Sequence, residues 1–218
     1  MKKFGFTLAE VLITLGIIGV VSALTMPNLI ANYQKKVWVT QLKKDVNFLA
    51  NNIKLLFANE SVDNLCDTDI AECPSNWSEN VFIYGDKYGQ YFKLSEAPSN
   101  SLFTQTAKEL QGEHEWLKTF NLNDGSCIAT ASSYGGSWIA SLGFFVDINC
   151  DKNPNKWGRD RFLIQYDSKG ILYNINDTEE KEMLSEMCNN YNDVYSDDNF
   201  FLGMCAYKIM EDGWKMNY

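Results

Sequence analysis

The chain has 218 residues, a net charge of −9 and 45% hydrophobic residues, a composition that excludes a largely disordered protein. The acid excess also counts against a nucleic-acid-binding surface, since Lys and Arg form no cluster beyond the N-terminal region. Once the apolar N-terminus is set aside, about 190 residues remain, enough for one globular domain.

The first 26 residues contain the longest apolar run. Lys2 and Lys3 precede a run from Phe6 to Met26, in which Glu10 is the one charged residue. As a helix rising about 1.5 Å per residue, this run can cross a hydrocarbon core about 30 Å thick. The lysines predict a cytoplasmic N-terminus and a single pass, with the rest of the chain outside. A secretory signal fits poorly, because the apolar helix continues into the chain without a cleavage site.

Glu10 is unusual, because a carboxylate within a bilayer costs a few kcal/mol and marks a functional site or a partner. The alternative is that Glu10 lies just below the membrane interface, where it snorkels or is protonated.

Residues Gly5-Phe6-Thr7-Leu8-Ala9-Glu10 resemble the class III signal of type IV pilins and type II secretion pseudopilins. The resemblance implies that a prepilin peptidase cuts between Gly5 and Phe6 and methylates the new amine of Phe6. It also implies that Glu10 pairs with the N-terminal amine of a neighbouring subunit, an ion pair made between subunits. Pro27 stands where many members of these families carry a helix-kinking proline.

The apolar residues after Pro27 recur every three or four positions, which places them on one helical face. They are Val39, Leu42, Val46, Leu49, Ile53 and Leu56. The spacing predicts one helix from about residue 6 to 58, which Pro27 bends rather than ends. We therefore divide the chain into a leader (1–5), a transmembrane or filament-core helix (6–26), its amphipathic continuation (27–58) and a periplasmic or extracellular globular domain (59–218). The amphipathic part is expected to pack on a sheet; a free coiled coil is the alternative.

The globular domain is predicted to be α+β and pilin-like, with an antiparallel sheet and a disulfide-closed C-terminal region. Turn residues and apolar runs predict strands at 81–84, 90–94, 119–122, 126–132, 143–149, 161–167, 170–174 and 204–210. Helices are predicted within 104–120 and at 177–191, the second capped by Asp177 or Thr178. Asn123-Asp124-Gly125 is the strongest turn signal, and 132–141 is expected to be a flexible connection.

All six cysteines follow the apolar run, and an even number outside the cytoplasm predicts disulfides. We predict sequential pairing: Cys66–Cys73, Cys127–Cys150 and Cys188–Cys205. Metal binding is the alternative, but the chain has no Cys-x-x-Cys spacing.

Oxygen-bearing side chains alternate after the strand at 143–149, a pattern that can converge on calcium. The candidate ligands are Asp147, Asn149, Asp151 and Asp160. The pattern departs from an EF-hand, since Lys152 replaces the expected Gly and the final Glu is missing. The alternative is a loop held by its own side-chain to backbone hydrogen bonds. No other cofactor is predicted.

Two further stretches resemble a subgroup of pseudopilin-like proteins, namely VDINCDKNPNKWGRDRF (146–162) and the tail CAYKIMEDGWKMNY. Major pseudopilins bind calcium in a C-terminal loop. The resemblance implies the four candidate ligands only through the similar composition of the loop, since no individual ligand position is matched. Cys150 stands where Gly is common in this subgroup, so the turn is expected to differ and to be held by a disulfide.

An enzyme is not predicted. The single histidine, His114, lies between Glu113 and Glu115 and fits a solvated residue. The chain has no nucleophile elbow and no Gly-rich phosphate loop.

The favoured hypothesis is a structural filament subunit, whose size suggests a minor pilin or pseudopilin. Its expected partners are other subunits, the prepilin peptidase, inner-membrane lipids and the inner-membrane assembly platform. The alternative is a membrane-anchored module for adhesion, DNA uptake or substrate recognition. Exposed aromatic side chains at Tyr134, Trp138, Trp157 or Trp214 would support the alternative, whereas core packing would explain them more simply.

Overall fold

The computed structural model describes residues 5, 7–73, 82–111, 117–131, 141–173, 175, 177–189 and 200–218. The chain divides into two units, Met1–Val37 and Trp38–Tyr218. We call the described helical part of the first, Leu8–Val37, the N-terminal segment, and the second the globular unit.

Helix α1 begins at Leu8 and ends at Glu60, with Pro27 inside it. In the N-terminal segment its side chains are almost all exposed, whereas in the globular unit it carries a buried stripe. All six predicted stripe residues are buried, and Asp45 is buried with them. The predicted long helix and its amphipathic second part are therefore confirmed.

The described part of the globular unit continues with a 3₁₀ turn and short elements. These are the 3₁₀ turn Leu65–Asp67, β1 (Ala71–Glu72), β2 (Phe82–Ile83), α2 (Gly85–Phe92), β3 (Ser95–Glu96) and α3 (Leu102–Gln111). Then follow β4 (Thr119–Asn121), β5 (Cys127–Ala131), β6 (Ser141–Asp147), β7 (Arg161–Asp167), α4 (Thr178–Asn189), the 3₁₀ turn Phe200–Met204 and α5 (Cys205–Glu211).

Strands β3 to β7 form an antiparallel sheet in sequence order, and β1 pairs with β2 in a separate ribbon. One hydrophobic cluster joins the α1 stripe to Phe144, Phe162 and Ile164 of the sheet. A second cluster joins Phe145 and Leu163 to residues of α3, α4 and α5. Because neighbouring strand residues point to opposite faces, β6 and β7 are covered on both sides. The fold is α+β, as predicted, with a long helix and an antiparallel sheet.

Three strand predictions were wrong, and in two of them the structure has helical turns instead. The predicted strand at 90–94 is the end of α2, in which Gly89 lies so close to the Phe120 ring that a Cβ would collide with it. The predicted strand at 204–210 is the end of a 3₁₀ turn followed by α5. Leu202, Cys205, Ala206 and Ile209 are buried and follow helical spacing, which the interpretation of this apolar run as a strand missed.

Other local predictions agree with the structure, apart from the strand predicted at 170–174. The Asn123-Asp124-Gly125 turn joins β4 to β5, and Gly125 adopts the positive φ of 93° that favours glycine. Asp177 caps α4 through hydrogen bonds from the backbone N–H groups of Glu179 and Glu180. The segment predicted at 170–174 forms one isolated bridge, Tyr166 to Leu172, rather than a strand. The connection predicted at 132–141 lies almost wholly outside the described residues.

Three disulfides join the sequential pairs Cys66–Cys73, Cys127–Cys150 and Cys188–Cys205, which is the predicted pairing. The third closes the C-terminal region by linking α4 to α5.

Candidate functional sites

The N-terminal motif forms a capping box at the start of α1. Glu10 Oε2 accepts hydrogen bonds from the backbone N–H and the hydroxyl of Thr7, both at 2.8 Å. In return, the backbone N–H of Glu10 donates to Thr7 Oγ1 at 3.3 Å. This reciprocal pair satisfies donors that a helix otherwise leaves open at its N-terminus. Within one chain, the Glu10 carboxylate is therefore bound locally and remains exposed.

Gly5 is exposed, and open space surrounds the position of a Cβ on it. Phe6 lies outside the described residues, so cleavage between Gly5 and Phe6, and methylation of Phe6, stay predictions. Pro27 lies within continuous helix, and the kink expected there also stays a prediction.

From Leu8 to Met26 the N-terminal segment presents apolar side chains around its whole circumference. Leu8, Leu24 and Leu29 are 78%, 72% and 71% exposed. The helix is long and apolar enough to cross a membrane, and its most apolar stretch has no buried residue. A soluble protein would have to hide such a surface.

The loop from Asp147 to Asp160 starts at a buried ion pair. Asp147 and Arg161 are directly opposite each other in the β6–β7 register, and Asp147 Oδ2 lies 2.9 Å from Arg161 Nε. Burial raises the pKa of Asp147 to about 7, although the hydrogen bond and the charge of Arg161 oppose this. Arg161 also donates to Thr106 Oγ1 and Asn155 Oδ1, so its guanidinium links the strand pair to α3 and to the loop.

Asp160 closes the loop by accepting backbone hydrogen bonds. Its Oδ2 accepts from the N–H of Asn155 at 2.9 Å, and its Oδ1 accepts from the N–H of Lys156 at 2.7 Å. The Asn149 side chain donates to the same carboxylate at 3.2 Å. Burial raises the pKa of Asp160, and these hydrogen bonds oppose the rise. Asp151 is used elsewhere, since its Oδ1 accepts from the N–H of Phe103 at the start of α3.

Cys150 adopts a φ of 55°, the left-handed region that favours glycine, and its disulfide to Cys127 ties the turn to β5. This geometry fits the expectation of a disulfide-held turn at a position where glycine is common.

The predicted calcium ligands therefore lie in one loop, but their carboxylates are engaged by Arg161 and by N–H groups. Among the described residues, no group of three or more His, Cys, Asp or Glu side chains is placed to hold a metal ion. Asn149 Oδ1 is buried and has no hydrogen-bond partner within the described part of the chain. The observed contacts are those of the hydrogen-bonded loop, and calcium binding stays a prediction.

The aromatic residues considered for ligand contact do not form an exposed patch within the described part of the chain. Trp157 is 3% exposed and packs edge-on against Phe145. Trp214 is partly buried, with Lys43 over its ring. Tyr134, Trp138 and His114 lie outside the described residues.

Sequence reasoning missed two buried charged groups. Nothing in the local sequence distinguishes Arg161 from the other charged residues of its segment. Asp45 could have been found, because it lies three residues after Leu42 and four before Leu49, on the apolar face.

Comparison with known families adds one finding. Residues 1–26 match the family model of the prokaryotic N-terminal methylation motif. The chain thus carries the prepilin-type signature of type IV pilins and pseudopilins, a signature of structural proteins rather than of enzymes. Together with the apolar helix, this signature indicates a membrane-anchored precursor. No curated protein and no solved structure gives a significant match to the chain.

Proposed function

We propose that the chain is a structural subunit, a pilin or pseudopilin, of a type IV pilus or type II secretion-type filament. The observation that carries the proposal is the methylation motif on residues 1–26 at the start of a helix whose first part is exposed and apolar. The same helix then enters a disulfide-bonded globular unit. The chain is larger than we expect of a major pseudopilin, which favours a minor subunit.

The precursor is held in the inner membrane by the N-terminal segment, with Lys2 and Lys3 in the cytoplasm and the globular unit outside. The prepilin peptidase cuts after Gly5 and methylates Phe6. The assembly platform then extracts the mature chain, and its apolar helix exchanges lipid contacts for contacts with other subunits. Each subunit contacts the next head to tail, and because such contacts do not close, they extend a helical filament.

In this proposal Glu10 changes partners on assembly. In the single chain its carboxylate accepts from Thr7. In the filament it pairs with the amine of a neighbour's Phe6, an interaction between two opposite charges that a site without water strengthens. The capping box keeps the carboxylate bound until the neighbour arrives.

The first test is the intact mass and N-terminal sequence of the protein from membranes, with and without the prepilin peptidase. We expect a mature chain that begins at N-methylated Phe6 only when the peptidase is present. A chain that begins at Met1 in both cases, or one cut beyond residue 20, would contradict the proposal and leave a membrane-anchored or secreted binding module as the alternative.

A second test separates the two contacts of Glu10. Glu10→Ala is expected to abolish incorporation into filaments, measured in sheared filament fractions, while near-UV circular dichroism of the globular unit is unchanged. Thr7→Val is the control, because it removes the side-chain half of the cap but keeps the carboxylate. Equal loss in both variants would show that Glu10 acts only through the cap.

A further inference from the structure

A second set of polar residues joins α1 to the turn between β4 and β5. Asp45 and Ser126 are both fully buried. Ser126 Oγ lies 3.0 Å from Asp45 Oδ1 and 2.8 Å from Asp124 Oδ1. Gln41 Nε2 lies 2.6 Å from Asp124 Oδ2 and 3.3 Å from Asp45 Oδ1. The carboxyl groups of Asp45 and Asp124, from distant parts of the chain, thus both lie within hydrogen-bond distance of the Ser126 hydroxyl.

If both carboxyl groups are ionised, the donors around Asp45 are few: its Oδ1 keeps the Gln41 amide at 3.3 Å and competes with Asp124 for the hydroxyl of Ser126. The Ser126 hydroxyl has one hydrogen and can donate to one of its two neighbours at a time. The Gln41 amide lies closer to Asp124, and the backbone N–H of Ser126 also donates to Asp124. Asp45 Oδ2 is buried, and no described residue supplies it with a hydrogen bond. An ionised Asp45 would be a buried charge with little compensation.

The surroundings of the two carboxyl groups favour a protonated Asp45 and an ionised Asp124. Burial, and then the charge of Asp124, raise the pKa of Asp45 to about 8, while the hydrogen bonds from Ser126 and Gln41 and the charge of Lys44 oppose the rise. Burial alone would raise the pKa of Asp124, but hydrogen bonds from Ser126 and Gln41 outweigh it and lower that pKa. Among the described residues, Asp124 and Lys44 are the charged groups that act on Asp45.

We propose that Asp45, Ser126 and Asp124 form a clasp that is closed by a proton, in which neutral Asp45 donates to Ser126 Oγ and Ser126 donates to ionised Asp124. The clasp fastens the docked part of α1 to the β4–β5 turn. It loosens in alkaline solution, when Asp45 ionises and both carboxylates compete for the one hydroxyl proton. This inference does not depend on the filament function.

The clasp has a route to solvent. Asp124 is exposed and lines an open cleft of about 270 Å³, together with Phe48, Lys93 and Asn121 among others. Protons can therefore reach Asp45 through Ser126 without the core opening. We expect the clasp to follow the pH outside the membrane.

The direct test is infrared spectroscopy of the full-length protein in detergent. We expect the carbonyl stretch of protonated carboxylic acids at about pH 6. Because Asp147 also contributes to it, the Asp45 band is the difference between the wild type and Asp45→Asn, and it is lost with a midpoint near pH 8. Asp124→Asn, an exposed change that leaves Asp45 in place, is expected to keep the band and move the midpoint to lower pH, because a neighbouring negative charge is gone. An Asp45-dependent band that is missing at pH 6, or a midpoint that Asp124→Asn leaves unmoved, would overturn the proposal.

Thermal unfolding gives an independent measurement. The pKa of Asp45 is higher in the folded than in the unfolded protein, so folding takes up a proton between about pH 4 and pH 8. The contribution of Asp45 to stability is therefore greatest at acid pH and falls as the pH rises to about 8. Asp147 acts in the same direction up to about pH 7, so the variant is needed to separate the two.

We expect the Tm of Asp45→Asn to equal that of the wild type at about pH 4 and to exceed it at pH 8, because Asn is neutral without taking up a proton. A Tm lowered equally at both pH values would contradict the clasp. A wild-type Tm at pH 8 that rises with added Ca²⁺, but not in Asp45→Asn, would overturn it by assigning a metal ion to the proton's place.

Discussion

The two parts of α1 have the same backbone conformation and opposite surroundings. In the N-terminal segment, Leu24 and Leu29 are 72% and 71% exposed; in the globular unit, Leu42 and Leu49 are fully buried. From Leu8 to Met26 the first part is apolar on all sides, whereas the second confines its apolar residues to one stripe and exposes Lys43, Lys44 and Lys54. A helix that is apolar all round needs lipid or other helices, and a helix with one stripe needs one packed face. Helix formation thus depends on local sequence, whereas the surface that each part packs against determines whether that part stabilises the globular unit.

The largest expected effect on stability comes from replacing one leucine in each part of α1, one buried and one exposed. Leu49→Ala should lower the free energy of unfolding of the globular unit by about 2–5 kcal/mol, because it leaves a cavity in the core. Leu29→Ala removes the same atoms from an exposed position and should leave that free energy unchanged. Denaturant unfolding of the detergent-solubilised protein, followed by near-UV circular dichroism, measures both. Equal losses would mean that the two parts of the helix are not distinct.

The next effect concerns the covalent links, all of which lie in the globular unit. Replacing Cys127 by Ala and Cys150 by Ser opens a link across a sequence separation of 23. We expect a loss of about 3 kcal/mol, since cross-links over loops of this length restrict the unfolded chain.

The matched control opens the Cys66–Cys73 link, whose separation is 7, with both residues replaced by Ser. It should cost less in the same unfolding experiment. In neither variant should amide hydrogen exchange change in the N-terminal segment in detergent. Faster exchange there would show that the segment depends on the globular unit for its structure.

An intermediate effect tests the Asp147–Asp160 loop. Asp160→Asn should lower stability by about 1–3 kcal/mol, because an amide presents one acceptor to backbone N–H groups that now share two carboxylate oxygens. If the loop is held by hydrogen bonds alone, the loss is the same in EDTA and in Ca²⁺. Asp151→Asn, in an exposed residue, is the control and should cost less. A loss seen only in Ca²⁺ would instead support the calcium hypothesis.

The smallest effect compares the helix caps of the two units. Asp177→Ala should cost the globular unit about 1 kcal/mol, since two N–H groups of α4 lose their acceptor. Asp177→Asn should restore most of it. Thr7→Val removes a comparable cap from the N-terminal segment and should leave thermal unfolding of the globular unit unchanged. A lower unfolding temperature in Thr7→Val would contradict this separation.

Several features were fixed by sequence-local chemistry. The apolar run, the motif around Glu10 and the three-to-four spacing from Val39 to Leu56 each depend on residues close in the chain, and helices form through such contacts. The Asn123-Asp124-Gly125 turn and the Asp177 cap follow for the same reason. The disulfides could be paired because each partner is the next cysteine along the chain.

Only the tertiary structure decided the rest. The apolar run at 204–210 was predicted to be a strand, yet packing on β7 and the bond to Cys188 hold it as helix. Gly89 lies in a helix at a position where the ring of Phe120 leaves no room for a Cβ atom. Asp147 and Arg161 are brought together by the register of two strands. Asp45 and Asp124 are far apart in sequence, and no local pattern predicts that both carboxyl groups lie within hydrogen-bond distance of the Ser126 hydroxyl. Long-range packing determines such contacts, because the free energy that buries a charge or overrides a propensity comes from residues that the local sequence does not contain.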